Sequence, residues 1–161
     1  MNIHKITVFF IFFSHINTPF SQNNNIIPEP TEQTIKQGYF SINENPNIIS
    51  EFEFNSAATL LKNTIKELNS ISEKKSKNVI IFSKNKKLDL EEYTLDINSD
   101  EIIIEASSHL GAIYACQSLK QLILLNNRKG SVKIQSQFIK DSPRFKYRGM
   151  HLDVGRHMYS V

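Results

Sequence analysis

The chain has 161 residues, which is material for about one domain, and 40% of them are hydrophobic. Its 19 basic and 16 acidic side chains give a formal net charge of +3 and are interleaved along the sequence. The short lysine runs at 74–77 and 84–87 lack the arginine cluster and interleaved aromatic residues of a nucleic-acid-binding surface. We therefore expect no nucleic-acid partner.

The N-terminus has the layout of a secretory signal peptide. Positive charge precedes a compact apolar run, Ile6–Phe13, and a polar stretch follows from Ser14. The run is much shorter than the about 20 apolar residues that a membrane-spanning helix requires. We predict a signal peptide over residues 1–21 and no membrane span in the mature chain, which would be periplasmic, attached to the cell surface or extracellular. A buried N-terminal strand is the alternative.

The first predicted elements of the mature chain are an extended segment, a strand and a helix. Prolines at positions 28 and 30 favour extended backbone in the residues that precede them. Gly38–Ile42 has strand composition after a glycine turn. A helix is predicted over Ser56–Ser72, capped by Asn55 or Ser56. Its apolar residues recur at helical spacing on one face: Leu60, Leu61, Ile65, Leu68 and Ile71.

The central part of the sequence predicts further strands and a second helix. Val79–Phe82 is a short apolar run typical of a buried strand. Tyr93–Ile97 and Glu101–Glu105 are separated by a short turn and predict an antiparallel hairpin. The second helix is expected over about Ser107–Leu125, and Val132–Gln135 is the last strand of the unit. The expected buried face of this helix comprises Leu110, Ile113, Tyr114, Leu122 and Ile123.

This order of elements predicts an α+β domain over residues 22–140, in which a small sheet carries the helices on one face. Cys116 is the single cysteine, so no intrachain disulfide can form, and its apolar neighbours predict a buried hydrophobic role rather than a nucleophile. The adjacent carboxylates Glu91–Glu92 and Asp100–Glu101 lie at predicted turns. We expect them to be solvated loop charges rather than an acid–base pair.

The segment after Phe138 differs in kind from the rest. Asp141-Ser142-Pro143 interrupts regular structure and places a domain boundary near Lys140. Gly149–Val154 then alternates as a new strand. Arg156 follows that strand by two residues, at the C-terminal edge where α/β sheets and barrels bind ligands.

A guanidinium at such an edge offers five donors in a fixed fork, which suits vicinal sugar hydroxyls or a carboxylate. Asp153 is placed to hold Arg156 through a charge-assisted bond. Spacing alone leaves open that Arg156 instead caps the next element and pairs on the surface. His151, Asp153 and His157 are also candidate metal ligands on a barrel strand, although strand histidines are more often satisfied core residues.

Residues 141–157 contain an ungapped motif, Asp-x-Pro-Arg-Phe-x-Tyr-Arg-Gly-x-x-Leu-Asp-Val-x-Arg-His. This motif resembles the opening of the catalytic barrel in family 20 glycoside hydrolases, the β-N-acetylhexosaminidases. The upstream sequence is similar to that family's N-terminal α+β domain at Ile26-Ile27-Pro28-x-Pro30, at Glu101–Ala106 with Gly111-Ala112, and at Gln117-Ser118-Leu119-x-Gln121-Leu122. Gly155 stands where serine is frequent in relatives, which removes a hydroxyl but no charge.

The resemblance implies exo-hydrolysis of terminal β-linked N-acetylglucosamine or N-acetylgalactosamine from glycans such as chitooligosaccharides or glycoconjugates. In this family the 2-acetamido oxygen of the substrate attacks the anomeric carbon, so catalysis is substrate-assisted and retaining. An Asp-Glu pair of the family orients the acetamido group and protonates the leaving oxygen, and neither residue is in this sequence. Arg156 matches the arginine that binds ring hydroxyls, and Asp153, Arg148 and His157 match positions that brace the barrel and that arginine. The resemblance implies no cofactor and no metal, and it explains Asp153 and His157 without one.

We therefore predict that residues 141–161 begin a (β/α)8 barrel and contain only its first strand, since a whole barrel takes about 250 residues. On this interpretation the chain is the N-terminal portion of a secreted β-N-acetylhexosaminidase and is inactive alone. The alternative belongs to another class: a secreted, non-catalytic accessory module that binds carbohydrate or a partner subunit.

Overall fold

The computed structural model describes residues 26–42, 46–67, 78–128 and 131–151. Within these ranges the chain forms a seven-stranded mixed sheet and two α-helices. In chain order the elements are β1 (Glu32–Ile42), β2 (Asn47–Ser50), a 3-10 helix (Phe52–Phe54), α1 (Asn55–Glu67), β3 (Val79–Lys84), β4 (Tyr93–Ile97), β5 (Glu101–Ala106), α2 (His109–Asn126), β6 (Asn127–Arg128) and β7 (Ser131–Asp141). The predicted signal peptide over residues 1–21 lies outside the described residues.

The strands are ordered β1-β7-β4-β5-β3-β2, and β6 pairs with β7 outside this path. β2, β3 and β5 run parallel, whereas β4 is antiparallel to β5 and β7, and β1 is antiparallel to β7. The predicted β4–β5 hairpin is confirmed, with Tyr93 opposite Ala106 and Ile97 opposite Ile102. A slip of one residue would move the apolar side chains of β4 to the other face, so the buried face specifies this register.

Both helices contribute to one hydrophobic core against the sheet. Side chains alternate between buried and partly exposed along β3 and β5, which is the pattern of strands with one covered face. The buried strand residues and the buried helix residues belong to the same cluster, whose fully enclosed members include Phe40, Phe54, Leu61, Ile65, Leu95, Ile104 and Leu119. This mixed sheet with two helices agrees with the predicted α+β class.

The buried face of helix α2 agrees only in part with the one predicted. Leu122 and Ile123 are fully buried, as expected. Leu110, however, is 48% exposed, and Ile113 and Tyr114 are only partly buried against the core. The helix is apolar on more than one side, so the periodicity of apolar residues did not specify which side meets the sheet.

Small side chains decide which face of α2 packs on the sheet. Gly111, Ala112 and Ala115 are all buried at this contact. A Cβ built on Gly111 would lie 2.5 Å from the carbonyl oxygen of Glu92 and 3.2 Å from the Cβ of Ala106. Glycine therefore allows an approach that any larger residue would prevent, and the helix turns its small-residue side inwards.

The N-terminal half of α1 agrees with its predicted stripe in part. Leu61 and Ile65 are buried, whereas Leu60 is 38% exposed. Asn55 is the first helical residue rather than the predicted cap, because the 3-10 helix runs directly into α1. Residues 68–72, which hold the rest of the stripe and the predicted end of the helix, lie outside the described residues.

Three strands differ from the prediction. β1 begins at Glu32 rather than Gly38, because its polar first half pairs with β7 through backbone bonds that need no apolar alternation. Gly38 lies inside β1 at a register shift, with a φ of 103°, instead of at a turn. β7 extends past the predicted end at Gln135 to Asp141, and β2 is a four-residue strand that was not predicted and that pairs in parallel with β3.

The predicted barrel strand Gly149–Val154 is not observed in its described part. Residues 149–151 have no regular secondary structure, and residues 152–161 lie outside the described ranges. The proposed domain limits at residues 22–140 and 141–161 stay a prediction. Across 26–42, 46–67, 78–128 and 131–151, no helix is long and apolar enough to cross a bilayer.

Candidate functional site

The chain that leaves β7 is tied back to the domain at three points. We call residues 142–151 the exit segment. Just before it, Asp141 Oδ1 accepts hydrogen bonds from the backbone N and the Oγ1 of Thr31, at 3.1 and 3.0 Å. Arg144 Nη2 donates to the carbonyl oxygen of Glu29 at 3.1 Å. The third tie is Arg148, one of the predicted site residues that the structure describes.

Arg148 lies at the centre of what we call the Arg148 cluster: Glu91, Tyr114 and Arg148. Its Nη2 donates to Glu91 Oε1 at 2.5 Å and to Tyr114 Oη at 3.2 Å. The Tyr114 hydroxyl in turn donates to Glu91 Oε1 at 2.9 Å, which closes a triangle of hydrogen bonds. The guanidinium carbon also lies 6.0 Å from the centroid of the Tyr114 ring, and Nη1 donates to the carbonyl oxygen of Phe145 at 2.5 Å.

The charges in this cluster stabilise each other. The hydrogen bond from Arg148 holds the pKa of Glu91 below its ordinary value, and the hydrogen bond from Tyr114 adds to this effect. The same bond to Glu91 raises the pKa of Arg148. Glu91 is therefore a carboxylate at neutral pH and is bound to its partners as an acceptor, which is the geometry of an anchor rather than of a general acid.

A cavity of about 470 Å³ adjoins the cluster. The N-terminal residues Ile26 and Ile27, helix α2 and the exit segment form its walls. Tyr114 and Gln117 line it from the helix, and Phe145 lines it from the exit segment. Its volume lies within the range of small-ligand pockets, and its lining combines aromatic side chains with a few polar groups.

One carboxylate at the predicted turns, Glu91, is a partner of Arg148 that the sequence did not indicate. Glu91 was expected to be a solvated loop charge, and it does lie in a loop with its side chain 31% exposed, but it also binds Arg148 and Tyr114. Glu92 is only 17% exposed and pairs with Lys140 at 3.0 Å. Nothing in the sequence points to these pairs, because the partners of Glu91 lie 23 and 57 residues away.

The other predicted site residues divide into described and undescribed ones. Arg156, Asp153 and His157 lie outside the described residues, so their roles stay predictions. Cys116 is confirmed as buried, and burial raises the pKa of its thiol to about 12, which keeps it protonated at neutral pH. In the described part of the chain, no group of three His, Cys, Asp or Glu side chains is arranged to hold a metal ion.

Comparison with known families identifies the domain. A family model described as "Glycosyl hydrolase family 20, domain 2" matches residues 23–142. The chain belongs to glycoside hydrolase family 20.

Curated relatives of this family 20 chain are β-hexosaminidases. It is 39% identical to a β-hexosaminidase of Vibrio furnissii over 82 residues, which are 51% of this chain and 13% of the relative. It is 30% identical to a β-hexosaminidase of Vibrio vulnificus over 142 residues, which are 84% of this chain and 16% of the relative. The chain thus spans less than one fifth of the length of these relatives.

A solved structure has the same fold. It is a family 20 exo-β-N-acetylglucosaminidase from Vibrio harveyi in complex with N-acetylglucosamine. The two share 31% sequence identity with a TM-score of 0.70, over 84% of this chain and 21% of the Vibrio enzyme. The mixed sheet with two helices is therefore a domain that family 20 enzymes carry beside a much larger remainder.

Proposed function

We propose that this chain supplies the domain that precedes the catalytic barrel of an exported β-N-acetylhexosaminidase. The observation that carries the proposal is the match of 84% of the chain to a β-hexosaminidase at 30% identity. The substrates would be glycans that end in β-linked N-acetylglucosamine or N-acetylgalactosamine. The Vibrio harveyi enzyme, with N-acetylglucosamine bound, supports this substrate class.

The residues of this chain have a limited share in the reaction. Arg156 binds hydroxyls of the terminal sugar, for which the guanidinium fork supplies paired donors. Asp153 and His157 hold that arginine and the first barrel strand. The Asp-Glu pair for substrate-assisted catalysis comes from sequence beyond these 161 residues, so the chain alone lacks the groups for bond cleavage.

The direct test is hydrolysis of a chromogenic N-acetyl-β-glucosaminide. We expect the 161-residue chain to show no turnover above the uncatalysed rate. Turnover that Arg156→Ala abolishes would contradict this division of roles. Sequencing the DNA downstream of the codon for Val161 provides the second test, and an in-frame continuation that encodes an Asp-Glu pair after a barrel strand supports the enzyme.

A non-catalytic module that binds carbohydrate is the second candidate. The cavity between α2 and the exit segment favours it, because Tyr114 and Phe145 supply aromatic walls and Gln117 supplies an amide. Calorimetric titration of the chain with chitobiose distinguishes the two functions. Binding that Tyr114→Ala removes, and that Tyr39→Ala at a half-exposed position on β1 leaves intact, supports the module. If no heat of binding is detected, the result supports the enzyme domain and not the carbohydrate-binding module.

A further inference from the structure

We propose that Glu91 and Tyr114 are positioning residues: through Arg148 they fix the direction in which the polypeptide leaves the α+β domain. The proposal rests on the proposed function, in which the chain beyond Arg148 continues into the catalytic barrel. It assigns a purpose to two side chains that lie outside the family motif at 141–157.

The order of the three ties makes Arg148 the decisive one. Asp141 binds Thr31 where β7 ends, and Arg144 binds the backbone at Glu29. Arg148 is the last of these ties along the chain, and residues 149–151 beyond it have no regular secondary structure. The path of the chain after Arg148 therefore depends on where the Arg148 guanidinium is held.

Two partners in separate parts of the chain orient the Arg148 guanidinium. Glu91 lies in the loop before β4, and Tyr114 lies on α2. A single contact to a charged group would leave the guanidinium free to rotate. Two acceptors on one Nη2, a neighbouring aromatic ring, and the Phe145 carbonyl on the other Nη fix its plane.

Residues beside both partners are buried in the core. Tyr93, two residues after Glu91, is 2% exposed, and its hydroxyl is 2.6 Å from Ser118 Oγ on α2. Ala115, next to Tyr114, is completely buried. The contact between β4 and α2 therefore sets where the cluster holds the exit segment.

The role of the cluster is not to stabilise the fold. The side chains of Arg148 and Glu91 are 43% and 31% exposed, and ion pairs at such positions contribute little to stability. Loss of Glu91 should therefore shift the Tm by less than about 4 °C, while it changes the exit direction. A residue with a merely structural role would show the opposite pattern.

Distances between two spin labels test the proposal on the full 161-residue chain. Asn63→Cys on α1 and Met150→Cys in the exit segment place nitroxides at exposed positions, and the native Cys116 is too buried to be labelled. Double electron–electron resonance then reports the distribution of distances between the labels. We expect one narrow distribution in the parent, a broad one in Glu91→Gln, and a smaller broadening in Tyr114→Phe.

Glu53→Gln is the matched control. Glu53 also pairs with its partner, Lys84, at 2.5 Å, with side-chain exposures of 37% and 33%, and this described pair does not involve the exit segment. A distribution in Glu91→Gln that is as narrow as in the parent, or one that Glu53→Gln broadens equally, would overturn the proposal. The distances involve no substrate, so turnover by the 161-residue chain that Arg156→Ala abolishes would refute the proposed function and leave this result unaffected.

Discussion

Replacing Gly111 by alanine tests whether the close approach of α2 to the sheet selects its buried face. The added Cβ would lie 2.5 Å from the carbonyl oxygen of Glu92 and 3.2 Å from the Cβ of Ala106. Real Cβ atoms essentially never approach other atoms closer than 3.0 Å, so the helix or the backbone at Glu92 must move. The substitution therefore forces strain into a contact that glycine leaves relaxed.

Two opposing contributions set the size of the change in the free energy of unfolding. Alanine favours a helix over glycine by about 1 kcal/mol. Forcing an extra carbon into a packed interior costs about 1–3 kcal/mol. The upper end applies here because the obstructing atom is backbone, held by a 3.1 Å bond from Glu92 N to Asp89 O and by the Glu92–Lys140 pair. We expect a net loss of about 1–2 kcal/mol, and a larger loss for Gly111→Val.

Urea denaturation followed by circular dichroism measures this loss as a lower midpoint at unchanged slope. The control is Gly149→Ala, whose Cβ would meet the Tyr147 hydroxyl at an ordinary 3.7 Å and should change stability by less than about 0.5 kcal/mol. If Gly111→Ala is as stable as the parent or more stable, the contact has room for a methyl group. The explanation for the buried face of α2 would then be wrong.

Leu119→Ala removes a fully buried side chain and should cost about 2–5 kcal/mol, whereas Leu124→Ala, at a half-exposed position of the same helix, should cost less than about 1 kcal/mol; equal losses in urea denaturation would contradict the assigned core face. An NMR titration should find the pKa of Glu91 below its ordinary 4.5, and Arg148→Gln should raise it; an unchanged midpoint would rule out the pairing. Because the folded-state pKa is the lowered one, the stabilisation by this pair is present above pH 4.5 and is lost as the pH falls through the lowered pKa. Since burial raises the pKa of Cys116 to about 12, an aromatic disulfide reagent at about pH 8 should react with it only after unfolding, and rapid reaction of the native chain would show that the thiol is accessible.

The elements that the sequence predicted well are those with a strong local signal. The β4–β5 hairpin follows from two alternating runs and a short turn, and the observed register agrees with it. Helix α2 follows from its length and composition, and Ser108 provides its cap by accepting a hydrogen bond from Leu110 N at 3.2 Å. β2 and the first half of β1 have no such signal, because pairing with a neighbouring strand is what makes them strands.

The candidate site was likewise predicted only in part. The motif at 141–157 pointed to the family and singled out Arg148, which the structure places beside Glu91 and Tyr114. The motif could not identify Glu91 or Tyr114 as its partners. Their side chains meet Arg148 only because α2 packs against the start of β4, and the exit segment passes over that junction.

The sequence by itself determined the family, the class of fold and the position of most helices and strands, because these depend on local pattern and on a dense motif. Only the tertiary structure decided which face of α2 is buried and which side chains hold the exit segment. The first depends on how closely two backbones can approach at Gly111. The second depends on a triangle of hydrogen bonds among residues from three separate parts of the chain, and no local pattern in the sequence encodes such a contact.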